Sequence, residues 1–161
     1  MTDQPNWVRL HRTFDAPIDV IWKIWTDPDL FKQWYGPMGM SVPTAEMDVT
    51  VGGTRKVNMV MLTPEREMSM WFIGVYKELN APHRLVYTES MCQPDGTLIP
   101  PSAMGMPEGS PDVTEVIVEL SEDDGKTQMT MVHIGVPAGT AGEGGWNQAL
   151  DKLVALVGTQ A

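Results

Sequence analysis

The order of its elements constrains this chain most: one strand, two short helices, an almost unbroken run of strands, then a single closing helix. Residues 7–14 alternate, with Val8, Leu10, Arg12 and Phe14 on one face and Trp7, Arg9, His11 and Thr13 on the other, which reads as a strand. Asp15-Ala16-Pro17 carries helix-start chemistry, and Ile18, Ile21, Trp22 and Trp25 then recur at helical spacing. Thr26-Asp27-Pro28 stops that helix and starts a shorter one through Leu30, Phe31 and Trp34. Strands are predicted over 42–51, closed by the hairpin glycines Gly52-Gly53, and over 54–62, 68–79, 84–91, 113–121 and 127–136. A glycine-rich hinge, 139–145, leads into a last helix whose stripe is Trp146, Ala149, Leu150, Leu153 and Val157. Strands that follow one another through short turns pair antiparallel, and one amphipathic helix then has one sheet face to bury against. The expected fold is α+β, a curved antiparallel sheet wrapped around the C-terminal helix. It forms one domain over 1–161 with its core at about 7–157.

One segment interrupts the pattern. Residues 92–112 hold five prolines and three glycines, a loop insertion of the length that is usually functional or disordered.

Charge narrows the partners. Eleven basic against 21 acidic side chains give a formal net charge of −10, which argues against nucleic acid and against anionic membrane surfaces. Cys92 is the only cysteine, so an intrachain disulfide and a thiolate zinc site are excluded, and a reducing cytoplasm is the expected location. The first residues lack a basic stretch followed by an apolar one, and no apolar run approaches the ~20 residues that span a bilayer. Thirteen methionines stand beside six tryptophans and three phenylalanines. Methionine suits adaptable binding surfaces, and it equally fills irregular core space.

Familiar catalytic templates are missing. There is no glycine-rich phosphate loop and no Gly-x-Ser-x-Gly elbow. His11, His83 and His133 are far apart, so neither a metal nor another cofactor is expected. His133 shares a strand face with Thr127, Met129 and Met131. It either orients a ligand or moves a proton there, or it is a core histidine bonded to a backbone carbonyl. Glu89 and Tyr87 share a face with Leu85 and Met91. Glu89 is either a base made stronger by burial or a rim residue or ion-pair partner of Arg55. Glu115 and Glu119 mark a solvated side, while Trp22, Trp25 and Trp146 fit core positions. In Trp34-Tyr35-Gly36-Pro37 two adjacent aromatics cannot both face the core of a short helix, so one is expected at a pocket edge.

The ordered series Phe14-Asp15-Ala16-Pro17, Val20-Ile21-Trp22, Thr26-Asp27-Pro28, Trp34-Tyr35-Gly36-Pro37, Val51-Gly52-Gly53, Gly74-Val75-Tyr76 and Arg84-Leu85-Val86-Tyr87-Thr88, closed by Gly145-Trp146 and Leu150-Asp151-Lys152-Leu153, carries a resemblance. Over about 7–157 the chain resembles the activator of heat-shock-protein-90 ATPase homologue-like family of the START-like (SRPBCC) superfamily. The resemblance implies a helix-grip fold with an apolar cavity between sheet and helix. By that analogy Val57, Met59, Met61, Tyr87, Met129, Met131 and His133 line it from the strands, with Glu89 beside them and Trp146, Ala149 and Leu153 from the helix. Leu98, Ile99, Met104 and Met106 of the loop would form a lid.

The name-giving co-chaperone carries a further N-terminal domain for which this chain has no room, so ATPase activation is not expected. The leading expectation is binding of a small hydrophobic or aromatic molecule. The alternatives are a cyclase- or hydrolase-type cavity enzyme using His133 or Glu89, and a stress-linked protein-interaction module. The family resemblance also makes a homodimer plausible. A polar pair within hydrogen-bond reach in the cavity would favour the enzyme, and a lining of Met, Val and Trp alone would favour binding.

Overall fold

The computed structural model describes residues 7–36, 39–62, 67–100 and 112–160. Its elements run β1 (Trp7–Phe14), α1 (Ile18–Thr26), α2 (Pro28–Phe31), β2 (Met40–Met47), β3 (Thr54–Leu62), β4 (Glu67–Asn80), β5 (Arg84–Cys92), β6 (Thr114–Asp123), β7 (Lys126–Pro137) and α3 (Ala141–Gln160). The strands form one antiparallel sheet in the order β1-β7-β6-β5-β4-β3-β2. It curls around α3 as a half-barrel, the helix-grip arrangement expected from the sequence.

Alternation decides which residues the sheet turns inward. On β1, Val8 and Phe14 are buried while Arg9, His11 and Thr13 are exposed; on β7, Thr127, Met129, Met131 and His133 are buried. The long strand β4 is apolar on both faces, and its register settles the facing. Val57 pairs with Phe72 and Tyr76 with Tyr87 on the inner face, while Lys56 pairs with Ile73 on the outer. Gly74 lies where β5 crosses closest, since a Cβ there would stand 1.7 Å from the Thr88 carbonyl oxygen.

The connections follow their local chemistry. Asp27 caps α2 by accepting from the Asp29 amide at 2.9 Å, and Pro28 occupies the first helical position. The cap of α1 comes from far along the chain: the Glu122 carboxylate accepts from the Ile18 amide at 2.7 Å, because Pro17 has no side chain that can. The expected hinge at 139–145 is helical from Ala141 onward. The Glu143 amide donates to the Thr140 carbonyl at 3.1 Å, so the turn closes despite its glycines. Around α3 the core gathers Ile21, Ile24, Trp25, Phe31, Met129, Met131, Leu150 and Leu153.

Candidate functional site

Two clusters meet under the first half of α3. The first is built on a cation in the core. Arg55 lies on the inner face of β3, almost wholly buried, and its Nη1 donates to Glu89 Oε2 on β5 at 3.2 Å. The guanidinium carbon stands 3.8 Å from the centre of the Tyr87 ring, with the Phe31 and Tyr35 rings at 5.3 and 5.7 Å. Its Nε and Nη2 have no hydrogen-bond partner among the described residues, so these ring faces provide much of what replaces water. Tyr35 donates to the same Glu89 oxygen at 2.7 Å. Because that uses its one proton, the 3.0 Å contact between the two phenols runs from Tyr87 to Tyr35. Burial first, then the Glu89 carboxylate, holds the Tyr35 phenol well above its ordinary range, so it stays a donor.

The second cluster fixes a tautomer. Trp146 on α3 donates its indole N–H to His133 Nδ1 at 2.9 Å. Indole nitrogen can only donate, so His133 Nδ1 accepts and the ring proton sits on Nε2, aimed at Thr114 Oγ1 at 2.8 Å. Thr114 in turn donates its hydroxyl hydrogen bond to the Glu89 carbonyl at 3.0 Å. Burial lowers the His133 pKa, with Glu89 opposing and Arg55 assisting, in keeping with a neutral ring. The expected alternative of a histidine bonded to a backbone carbonyl is therefore met only indirectly, through Thr114.

Between the clusters lies a partly open pocket of about 140 Å³. Glu89, His133 and Met59 form its sheet side, Tyr35 and Gly36 one end, and α3 the roof. The roof residues Gly142, Gly145, Trp146 and Ala149 follow the spacing of one helical face, and two of them have no side chain. Gly36, at φ +92°, completes the space: a Cβ there would stand 3.3 Å from Met59 Sδ. Three lining positions are glycine, and they differ: a Cβ at Gly142 would stand 2.5 Å from Val136 Cγ1, so that glycine serves the packing of α3 on β7.

Of the residues expected to line a cavity, Met59, Glu89, His133, Trp146 and Ala149 do so. Val57, Tyr87, Met129, Met131 and Leu153 are buried in the core instead, and Met61 is half-buried at its edge. Met104 and Met106 lie outside the described residues. Leu98 does not cover the pocket. It is exposed, and its turn sits by the outer-face residues Lys56 and Ile73: Lys56 donates to the Pro94 carbonyl and Gly96 approaches Ile73. Trp34 and Tyr35 are both buried, and Tyr35 is the one of the pair that lies at the end of the pocket. The four-residue α2 ends before them, so turn backbone aims them separately, Trp34 to the Ile24 carbonyl at 3.1 Å and Tyr35 to Glu89. The sequence reading named Arg55 only as a possible partner of Glu89. The signal for more was a cation on the inward register of a strand carrying Val57 and Met59.

Comparison with known proteins gives a consistent result. Residues 15–158 match the family model of activator of Hsp90 ATPase homolog 1-like protein. A solved protein of Nitrosomonas europaea superposes with a TM-score of 0.75 at 21% identity, covering 100% of this chain and 99% of its own. One from Chromobacterium violaceum reaches 0.75 at 26% identity, covering 96% and 98%. A Silicibacter pomeroyi protein bearing the family's name reaches 0.72 at 21%, covering 95% and 98%. No protein with a curated description matches the chain. No helix among the described residues is long and apolar enough to cross a membrane.

Proposed function

Given that the chain belongs to the activator of Hsp90 ATPase homolog 1-like family, we propose that it binds a small aromatic molecule in the pocket beneath the first half of α3. The observation that carries this reading is the pocket itself, roofed by Gly142 and Gly145 and walled by Tyr35, Met59 and Trp146. A dry cavity of about 150 Å³ takes a benzene ring, and this pocket is of that order. Apolar walls with a few fixed polar groups are the usual make-up of a small-molecule site.

One contact favours the second reading, an enzyme: Tyr35 and Glu89 make a polar pair at 2.7 Å on the pocket wall. Binding is the stronger reading because the polar groups on the wall hold one another in place. Tyr35 is held protonated and donates its hydrogen bond to Glu89. His133 uses both ring nitrogens. Glu89 Oε2 is paired with Arg55 at 3.2 Å as well as with Tyr35. The test is a thermal-shift screen of small aromatic compounds. A ligand present at a hundred times its Kd stabilises the folded state by about 2.7 kcal/mol. Hits that vanish when Trp146 is replaced support the reading, and a broad screen without a hit overturns it.

A further inference from the structure

The hydrogen-bond and charge inventory of the pocket narrows its occupant. Building on the binding reading above, we infer that the ligand is a neutral single-ring aromatic carrying one hydrogen-bond donor, the chemistry of a phenol or an aniline, aimed at the Glu89 carboxylate. Three observations converge on this class.

The first is that the side-chain donors of the lining are spent. Trp146 donates to His133, His133 to Thr114, and Tyr35 to Glu89. An incoming carbonyl or ether would find no free side-chain donor among the described lining residues. The second is that an acceptor remains. Among the described residues Tyr35 and Arg55 both act on Glu89 Oε2 and no hydrogen bond reaches Oε1, the carboxylate oxygen left to a ligand donor, and Glu89 forms part of the wall. The third is charge. The Glu89 carboxylate is already balanced by Arg55 at 3.2 Å, so the pair contributes no net charge. An ammonium ligand would bring a second cation close to the buried guanidinium, and a carboxylate ligand would meet Glu89. Either would be desolvated without a free counter-charge. A neutral donor avoids both costs. The volume, about 140 Å³, sets the size at one ring.

The test uses the full chain and four single-ring probes: phenol, its isostere toluene, and the slightly larger benzylammonium and benzoate. Binding is followed by NMR at the Trp146 indole N–H, which lies at the pocket. Toluene is the more apolar, so hydrophobicity alone would favour it. The inference expects phenol to bind about tenfold tighter than toluene and about tenfold tighter than either ion, the effect of one hydrogen bond to a charged acceptor. In the double variant Arg55→Met/Glu89→Met, phenol and toluene should fall within about twofold of each other, since the acceptor is gone. Toluene equal to phenol, an ion binding tightest, or a double variant that keeps the phenol preference would each overturn the inference while leaving a ligand site. No response at Trp146 to any probe would overturn the binding reading as well. The unmutated series decides between these outcomes even if the double variant does not fold.

Discussion

The two halves of α3 face the same sheet and do opposite things. In the second half Leu150, Leu153, Leu156 and Val157 are buried and fill the space against the core. In the first half Gly145 falls on the inward stripe where a larger side chain would otherwise sit, and the pocket opens beneath it. Glycine costs a helix interior about 1 kcal/mol against alanine. At Gly142 close packing requires it, since a Cβ would stand 2.5 Å from Val136 Cγ1, but Gly144 and Gly145 lie further into the helix. A helix that needed only to cover a sheet would gain by replacing Gly145. The contrast teaches that the second half anchors the helix while the first half is kept thin for space.

The largest effect expected lies beside the thin half. Arg55→Ala leaves Glu89 buried without its cation and should cost about 3–5 kcal/mol in urea unfolding, most of it recovered in Arg55→Met/Glu89→Met. A cost below about 1 kcal/mol would mean that the pair does not hold the sheet side of the pocket. Next, Leu153→Ala should destabilise by about 2–5 kcal/mol and leave ligand affinity unchanged, as befits the anchoring half. If affinity fell with it, the two halves would not be separable.

Trp146→Phe keeps a ring but removes the donor to His133, and should cost about 1–3 kcal/mol. The same contact predicts a pH dependence. Burial holds His133 below its ordinary value, so on acidification the unfolded chain takes up that proton first. The stability it contributes is fully present above about pH 6.5 and is lost as pH falls toward the lower folded value. Melting temperature should therefore drop over that acid limb, and His133→Gln should flatten it. The smallest effect is the most diagnostic: Gly145→Ala should raise stability by up to about 1 kcal/mol and weaken ligand binding. A variant that gained stability and affinity together would remove the reason for the glycine.

The fold was legible because it rests on periodicity. Val8 and Phe14 on β1 and Met129, Met131 and His133 on β7 alternate as buried strands must, and the stripe through Trp146 and Leu153 repeats as a helix must. The start of α3 was misread because glycine locally argues against helix, and here the Thr140 turn and the packing of the helix override it. The pocket was half legible. Alternation says that Val57, Met59 and Met129 face inward, but not which of them touch empty space, since that depends on what the opposite element leaves out. Tyr35 and Gly36 come from the turn after α2, where no period predicts facing. The Arg55–Glu89 pair was visible only as one option among several, because register between strands 34 residues apart fixes it.

The most direct measurement compares phenol titrations of the unmutated chain and of Gly145→Leu, both followed at a reporter outside the pocket such as the Trp71 indole for folding and at Trp146 for binding. Leucine keeps the helix and places a side chain under the roof. The account expects saturable binding in the first protein and none in the second, with an unchanged or higher melting temperature. Equal binding in both would contradict it, because the ligand would then sit somewhere other than the space the glycines leave.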